Sequence, residues 1–273
     1  MRKTYLLKTA FLTIALILAP TARAATTELD QGYNNLYNAD FAAAHTNFHN
    51  WMQAHPEDPL GPASDAAAFL FTEFHRLNII EIELFKDPTA TPNTSTPQNP
   101  NLRADFDNRT QQAEKLADAI LAKSPHDAPA LFAKMLIYGL RADYAEMIDK
   151  SDLKALRYSE KGAEYSALTL QAEPTLYDAH IATGFENYML SLKPMPIRFF
   201  ARLMGGQTDK ATGISELKIT ARQGHYLAPF AQILLSVAQL REGNTAEAKA
   251  MLTDLDQKFP RNAMYARQLN QIH

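Results

Sequence analysis

The chain has 273 residues, contains no cysteine, and carries 27 basic against 30 acidic side chains, which gives a net charge of −3. The lack of cysteine excludes disulfides, thiolate metal ligands and a lipid-modified cysteine, and the acidic balance disfavours a nucleic-acid partner. Hydrophobic residues make up 46 % of the chain, a share typical of an ordered protein with a core.

Residues 1–24 have the pattern of a secretory signal peptide. Basic residues precede an apolar run from Ala10 to Ala19, and Ala22-Arg23-Ala24 offers a cleavage site. The mature chain is therefore predicted to start at Ala25, without a transmembrane segment, and to be periplasmic or secreted; a retained N-terminal anchor is the alternative. Loss of the four basic residues of this segment would change the net charge from −3 to −7.

Regularly placed prolines divide residues 25–273 into five predicted helix hairpins. Proline ends a helix because it cannot continue the hydrogen-bond ladder and restricts the residue before it. The junction prolines are Pro56, Pro125, Pro174, Pro229 and Pro260. The predicted hairpins span about 27–54, 62–122, 129–172, 175–223 and 227–259, and a capping helix is predicted over 262–272.

Two of these hairpins are longer than the others. In the second, the sequence predicts one helix over 63–85, a loop rich in Pro, Asn and Thr at 87–101, and a return helix from Leu102. In the fourth, an insertion at 193–207 separates the two helices. Insertions in repeat proteins often carry the function of the family.

The stretch from Leu29 to Pro59 shows the pattern of one complete repeat unit. Its characteristic positions are Gly32 at a small position, Asp40 and Phe41 at the turn, Ala44 and Phe48 on the second helix, and Pro56 at the end. The chain resembles the tetratricopeptide repeat (TPR) superfamily here and over 229–260, and more weakly in between, where Gly184 takes the small position and Gly213 the helix–helix contact position.

The resemblance implies an all-α, right-handed, TPR-like superhelical solenoid of about five hairpins plus a C-terminal capping helix, similar to exported bacterial TPR proteins. It also implies a non-catalytic adaptor or scaffold of the cell envelope that binds a protein or peptide. A structural, self-associating envelope protein is the alternative function.

Apolar residues occupy the first-helix positions that face the concave side of such a solenoid. Tyr33, Phe185 and Tyr188 are predicted anchors for a partner if this face is an open groove. Tight curvature would instead fill the face as core, and the sequence leaves both readings open. No lysine or asparagine stands there, so a clamp for a partner's C-terminal carboxylate is not supported.

The 193–207 insertion alternates basic and apolar residues. Arg198, Phe199, Phe200 and Arg202 are predicted partner-binding residues, because short basic amphipathic segments are typical of partner helices and of weak membrane-surface contacts. The alternative is that the apolar side docks on the neighbouring hairpin.

His45 and His49 have the spacing at which two imidazoles share a metal on a helix, but no third ligand is evident. The sequence contains no nucleophile–base set, phosphate-binding loop or dinucleotide fingerprint. We therefore expect no enzyme, no cofactor and no metal site. A metal-dependent enzyme ranks third, after adaptor and self-associating protein.

Overall fold

The computed structural model describes residues 26–79, 96–192, 195, 198 and 209–272, and these residues form eleven α-helices and no strand. The helices are α1 (Glu28–Tyr37), α2 (Phe41–Ala54), α3 (Leu60–Arg76), α4 (Pro100–Leu121), α5 (Ala128–Asp143), α6 (Asp152–Ala172), α7 (His180–Leu192), α8 (Lys210–Gln223), α9 (Ala228–Arg241), α10 (Thr245–Lys258) and α11 (Ala263–Gln271). A π-helical turn, Tyr144–Ile148, extends α5, and a 3₁₀ turn, Tyr177–Ala179, precedes α7. Within these described ranges no helix is long and apolar enough to cross a membrane.

Local signals explain where the helices begin and end. Six helices start after a residue whose side-chain oxygen accepts a hydrogen bond from the first turn. These residues are Thr27, Asp40, Asn99, Asp127, Asp209 and Asn262. Helices α2, α4, α6 and α10 each end shortly before one of the junction prolines, as predicted for these four prolines. The fifth, Pro229, lies instead in the first turn of α9.

Close helix contacts at small residues hold the hairpins together. A Cβ at Gly32 of α1 would lie 2.2 Å from the ring of Phe48 in α2. In the fourth hairpin, a Cβ at Gly213 would lie 2.6 Å from the backbone nitrogen of Tyr188 and 2.8 Å from the carbonyl oxygen of Gly184. Each hairpin also packs on the next. The fold is thus an all-α, TPR-like stack of five hairpins, with α11 as its cap.

One predicted helix is wrong in extent. The sequence predicts a continuous helix over 63–85, whereas α3 ends at Arg76 and the chain turns through Asn78 at φ 54°. Asparagine tolerates this left-handed conformation better than most residues. The return helix α4 begins at Pro100, two residues before the predicted start. The remaining part of the predicted 87–101 loop, up to residue 95, lies outside the described residues.

The first hairpin contacts the last, so the stack curls back on itself. The ring of Tyr33 stacks on that of Tyr226, with 4.7 Å between centroids, and the Tyr37 hydroxyl donates a hydrogen bond to the Tyr226 carbonyl at 2.9 Å. Arg261, just before α11, lies 2.9 Å from Asp40. We call this contact between the ends of the stack the seam.

Most of the concave face is filled as a consequence of this curvature. The first-helix positions that would line a groove are buried, with Phe185 as the partly exposed exception. The buried ones are Leu29, Tyr33, Leu136, Leu140, Ile181, Ile233 and Val237. Of the two readings that the sequence leaves open, the filled core holds for nearly the whole face.

Candidate functional site

The predicted anchors Tyr33 and Tyr188 are core residues, not exposed ones. Tyr33 is 5 % exposed, stacks on Tyr226 and accepts a hydrogen bond from the Ser64 hydroxyl at 3.0 Å. Tyr188 is 3 % exposed, at the close crossing with Gly213. A partner could not reach Tyr188 without unpacking the fourth hairpin, so the open-groove reading is wrong for this residue.

The third predicted anchor, Phe185, borders a space that the core leaves unfilled. This space, here called the first cavity, measures about 100 Å³ and lies on the inner face of the stack. Its walls come from α1, α3, α5, α6, α7 and α9 and are mainly apolar. Its lining includes Leu136, Leu140, Asp143, Phe185, Glu186 and Phe230.

A second cavity of about 130 Å³ adjoins the first. Glu146, Ser159, Phe185 and Glu186 line both spaces, and Asp152 borders only the second. Phe185 and the two glutamates therefore form a shared wall between the two cavities.

Two carboxylates of the first cavity, Asp143 and Glu186, have no partner among the described residues. Asp143 and Glu186 are part-buried, and neither has a hydrogen bond or ion pair with any of the described residues. Burial, reinforced by the negative charge of Glu146, raises the pKa of Asp143 to about 7. Burial and then the charge of Glu160 likewise raise the pKa of Glu186 to about 7. One Glu160 oxygen is itself shielded from solvent without a hydrogen-bond partner among the described residues.

The π-helical turn at Tyr144–Ile148 places two of these acids at the same space. Asp143 ends α5 and Glu146 lies within the turn, and both side chains line the first cavity. Turns of this kind are common at functional sites in helical proteins. The positions of Asp143 and Glu146 concentrate negative charge on one wall of this apolar space.

The opposite face of α5 carries a contrasting cluster, here called the ion network. Lys134, 3 % exposed, lies 2.6 Å from Asp118 and 3.1 Å from Glu114, and Arg141 lies 2.7 Å from the other Glu114 oxygen. The Tyr138 hydroxyl donates a third hydrogen bond to Glu114, at 2.8 Å. Burial alone would raise the pKa of Glu114, but these three donors lower it to about 2. Every charge of this network is satisfied.

The predicted partner-binding residues of the insertion are only partly placed. Phe199, Phe200 and Arg202 lie outside the described residues. Arg198 is part-buried, and its Nε is shielded from solvent without a hydrogen-bond partner in the described part of the chain. Met195 of the same insertion is 67 % exposed. A contact role for this segment stays a prediction.

The histidine pair considered for metal has other partners. His45 Nδ1 lies 2.5 Å from Asp65, whose second oxygen accepts a hydrogen bond from Arg109 at 2.6 Å. His49 lies 3.0 Å from Gln53. Among the residues that the structure describes, no group of three or more His, Asp or Glu side chains could hold a metal ion. The cluster at His45 instead links α2, α3 and α4.

Sequence reasoning missed Asp143 and Glu186, although a signal for the first was present. Leu136, Leu140 and Asp143 follow one another at i, i+4 and i+7, so the acid continues an apolar helix face. An acid in that position must be paired or must border a space. Glu186 has a similar place, one residue after the predicted anchor Phe185.

The hairpin stack and its cavity define the class of protein as an all-α repeat protein with a TPR-like fold. Among solved structures, a thermophilic TPR protein from Thermus thermophilus is similar, with 14 % sequence identity and a TM-score of 0.45. The match covers 90 % of this chain and 96 % of that one. No protein-family model and no curated protein matches the chain. The fold assignment therefore rests on the helix pairing and the glycine contacts described above.

Proposed function

We propose that this chain is a non-catalytic adaptor of the bacterial cell envelope that binds a protein or peptide partner. The observation that supports binding is the first cavity, an unfilled apolar space on the inner face whose wall includes Asp143 and Glu186, two carboxylates without a partner among the described residues. Export to the periplasm or beyond is proposed from the signal-like pattern of residues 1–24 alone.

The filled concave face limits how such a partner could bind. Stacked helical repeats commonly bind on the inner face of the stack, but in the described part of the chain the seam leaves no continuous groove for a long peptide. We infer that the partner inserts a side chain beside Phe185 and makes its remaining contacts at the rim. Single buried anchors of this kind dominate the energy of many interfaces. The 193–207 insertion follows directly on α7, the helix of Phe185, and is the proposed outer contact.

Capture of a partner by the immobilised 25–273 chain, with chemical cross-linking in an envelope extract, tests the proposal. We expect a protein that is retained by the wild-type chain and lost from the Phe185→Ala variant. The matched control is Leu153→Ala, which removes a leucine that is 73 % exposed and borders neither cavity. Both variants must keep the wild-type helicity and melting temperature.

Two results would contradict this function. A partner that is retained equally by Phe185→Ala would place the contact away from the cavity. Recovery of the chain itself as the main captured species would favour the self-associating alternative, which analytical ultracentrifugation of the purified chain then measures directly.

A further inference from the structure

The charged residues that line the first cavity, among those the structure describes, are all acidic. Asp143 faces it from α5, Glu146 from the π-helical turn and Glu186 from α7, while the remaining titratable lining residues are Tyr33 and Tyr37 of α1. None of the described residues that line either cavity is a lysine, arginine or histidine. An apolar space whose charged groups, as far as the structure describes them, are all anionic is complementary to a cation.

Asp143 and Glu186, two of the carboxylates of this cavity, lack among the described residues the compensation that buried charges ordinarily have. Charged groups removed from water are normally paired or hydrogen-bonded, as Glu114 is on the other face of α5. Asp143 and Glu186 have no such partner among the described residues, and both line the cavity. A bound cation would supply the missing partner.

The size and walls of the space restrict the cation to a small one with an apolar stem. An engineered cavity of about 150 Å³ in another protein is large enough for benzene, so about 100 Å³ admits a chain of a few carbons. Leu136, Leu140 and Phe230 provide apolar walls for such a stem. A bare metal ion fits less well, since no suitable set of three ligands exists among the described residues.

We propose that the first cavity binds an aliphatic ammonium group on a short apolar stem, with Asp143 and Glu186 as its counter-ions. This inference rests on the proposed function, because it names the chemistry that the partner would insert beside Phe185. Two sources offer the same chemistry: the side chain of a lysine in a peptide, and a free aliphatic amine.

Binding depends on pH through the carboxylates. Their pKa values near 7 mean that both are largely ionised at about pH 8 and largely protonated at about pH 5. The ammonium stays charged throughout this range. Other titratable groups also act on the site. Glu146 lies in the π-helical turn with Lys150 nearby, Asp152 and Glu160 lie on α6, and Tyr33 and Tyr37 lie on α1. We expect at least a tenfold loss of affinity between about pH 8 and about pH 5.

Titration calorimetry of the 25–273 chain tests the proposal with three probes: n-pentylammonium, uncharged n-pentanol, and a capped peptide with one central lysine. The double variant Asp143→Asn/Glu186→Gln keeps the shape of the cavity and removes its charges. It is expected to fold, because it removes two costly buried charges. Glu247→Gln, an exposed acid on α10, is the matched control for loss of charge.

The expected result is millimolar or tighter binding of n-pentylammonium to the wild type and to Glu247→Gln, with at least a tenfold weaker affinity for the double variant. Binding of the lysine peptide as well would support a protein source, and binding of the free amine alone would support a small-molecule source. Equal affinity for the amine and the alcohol, an unchanged affinity in the double variant, or no amine binding would each overturn the proposal.

If amine binding fails while Phe185→Ala still abolishes partner capture, the adaptor function stands without this ligand. If the amine binds as expected while Phe185→Ala still captures the partner, the ammonium site stands without the adaptor function.

Discussion

The two faces of α5 treat buried charge in opposite ways. On one face, Lys134 and Arg141 are bound by Glu114 and Asp118, so the ion network is complete and structural. At the other, Asp143 borders a cavity without a partner in the described part of the chain. The comparison teaches that a charge buried at a cost to stability is the better indicator of a binding place than a charge cluster as such.

Removal of Lys134 should have the largest effect on this comparison. Lys134→Met leaves Asp118 without its partner and Glu114 with one donor fewer, and breaking a buried ion pair is strongly destabilising. We expect the free energy of unfolding to fall by about 3 kcal/mol in urea denaturation at neutral pH. Lys161→Met, which breaks the exposed pair with Glu164, is the control and should change little. Equal losses in both variants would refute the special role of the network.

Removal of the charge at Asp143 should act in the other direction. Asp143→Asn abolishes an ionisation that burial disfavours, so we expect it to stabilise the chain by about 2 kcal/mol at about pH 8. The gain should shrink as the pH falls, because the wild-type carboxyl is then protonated in the folded state. Thermal and urea unfolding at two pH values measure this, and a destabilised variant at pH 8 would show that Asp143 has a partner in the free protein.

The pH dependence of wild-type stability follows from the same two faces. Asp143 and Glu186 have raised pKa values, so between about pH 4 and 7 the folded chain holds protons that the unfolded chain has released, and stability falls as the pH rises. Glu114 has a lowered pKa, so the stability that its ionised form contributes to the fold is lost only as the pH falls from about 4.5 towards 2. We expect a stability maximum near pH 4 and a decrease of about 4 kcal/mol by pH 8, with about 2 kcal/mol from each of the two groups with raised pKa values. A flat profile over that range would contradict the raised pKa values.

A smaller effect is expected at Tyr138, whose hydroxyl contributes one hydrogen bond to the ion network. Tyr138→Phe removes the 2.8 Å bond to Glu114 but leaves the ring stacked on Tyr165, so the loss should be about 1 kcal/mol. Denaturant midpoints compared with those of Lys134→Met rank the two contributions. A loss as large as that of Lys134→Met would mean that the ring packing depends on the hydroxyl.

Much of the fold could be predicted because it is encoded locally. Junction prolines and side-chain caps such as Thr27 and Asp127 act within a few residues, and they define most helix ends. The end of α3 could not be predicted, because the apolar pattern continues to Phe85 while the chain turns at Asn78. A local pattern does not reveal a turn that tertiary contacts select.

The site was predictable only in part. Phe185 was found from its helix position, and it does border the cavity. Tyr188 was predicted as an anchor by similar reasoning, yet it lies at the crossing with Gly213. The prediction failed because the sequence does not show which side of α7 meets α8. The cavity itself depends on the curvature of the stack, which no short segment specifies.

The seam has a consequence for how the molecule is made. In an ordinary repeat array each unit needs only its neighbour, so folding can follow the growing chain. Here the hydrogen bond from Tyr37 to Tyr226 joins residues 189 positions apart, and Arg261 comes later still. The first hairpin, although it emerges first, must wait for nearly the last residues before its aromatic face is covered. Contacts between residues so distant in sequence slow folding. The first hairpin therefore becomes fully ordered only after the last hairpin has packed against it.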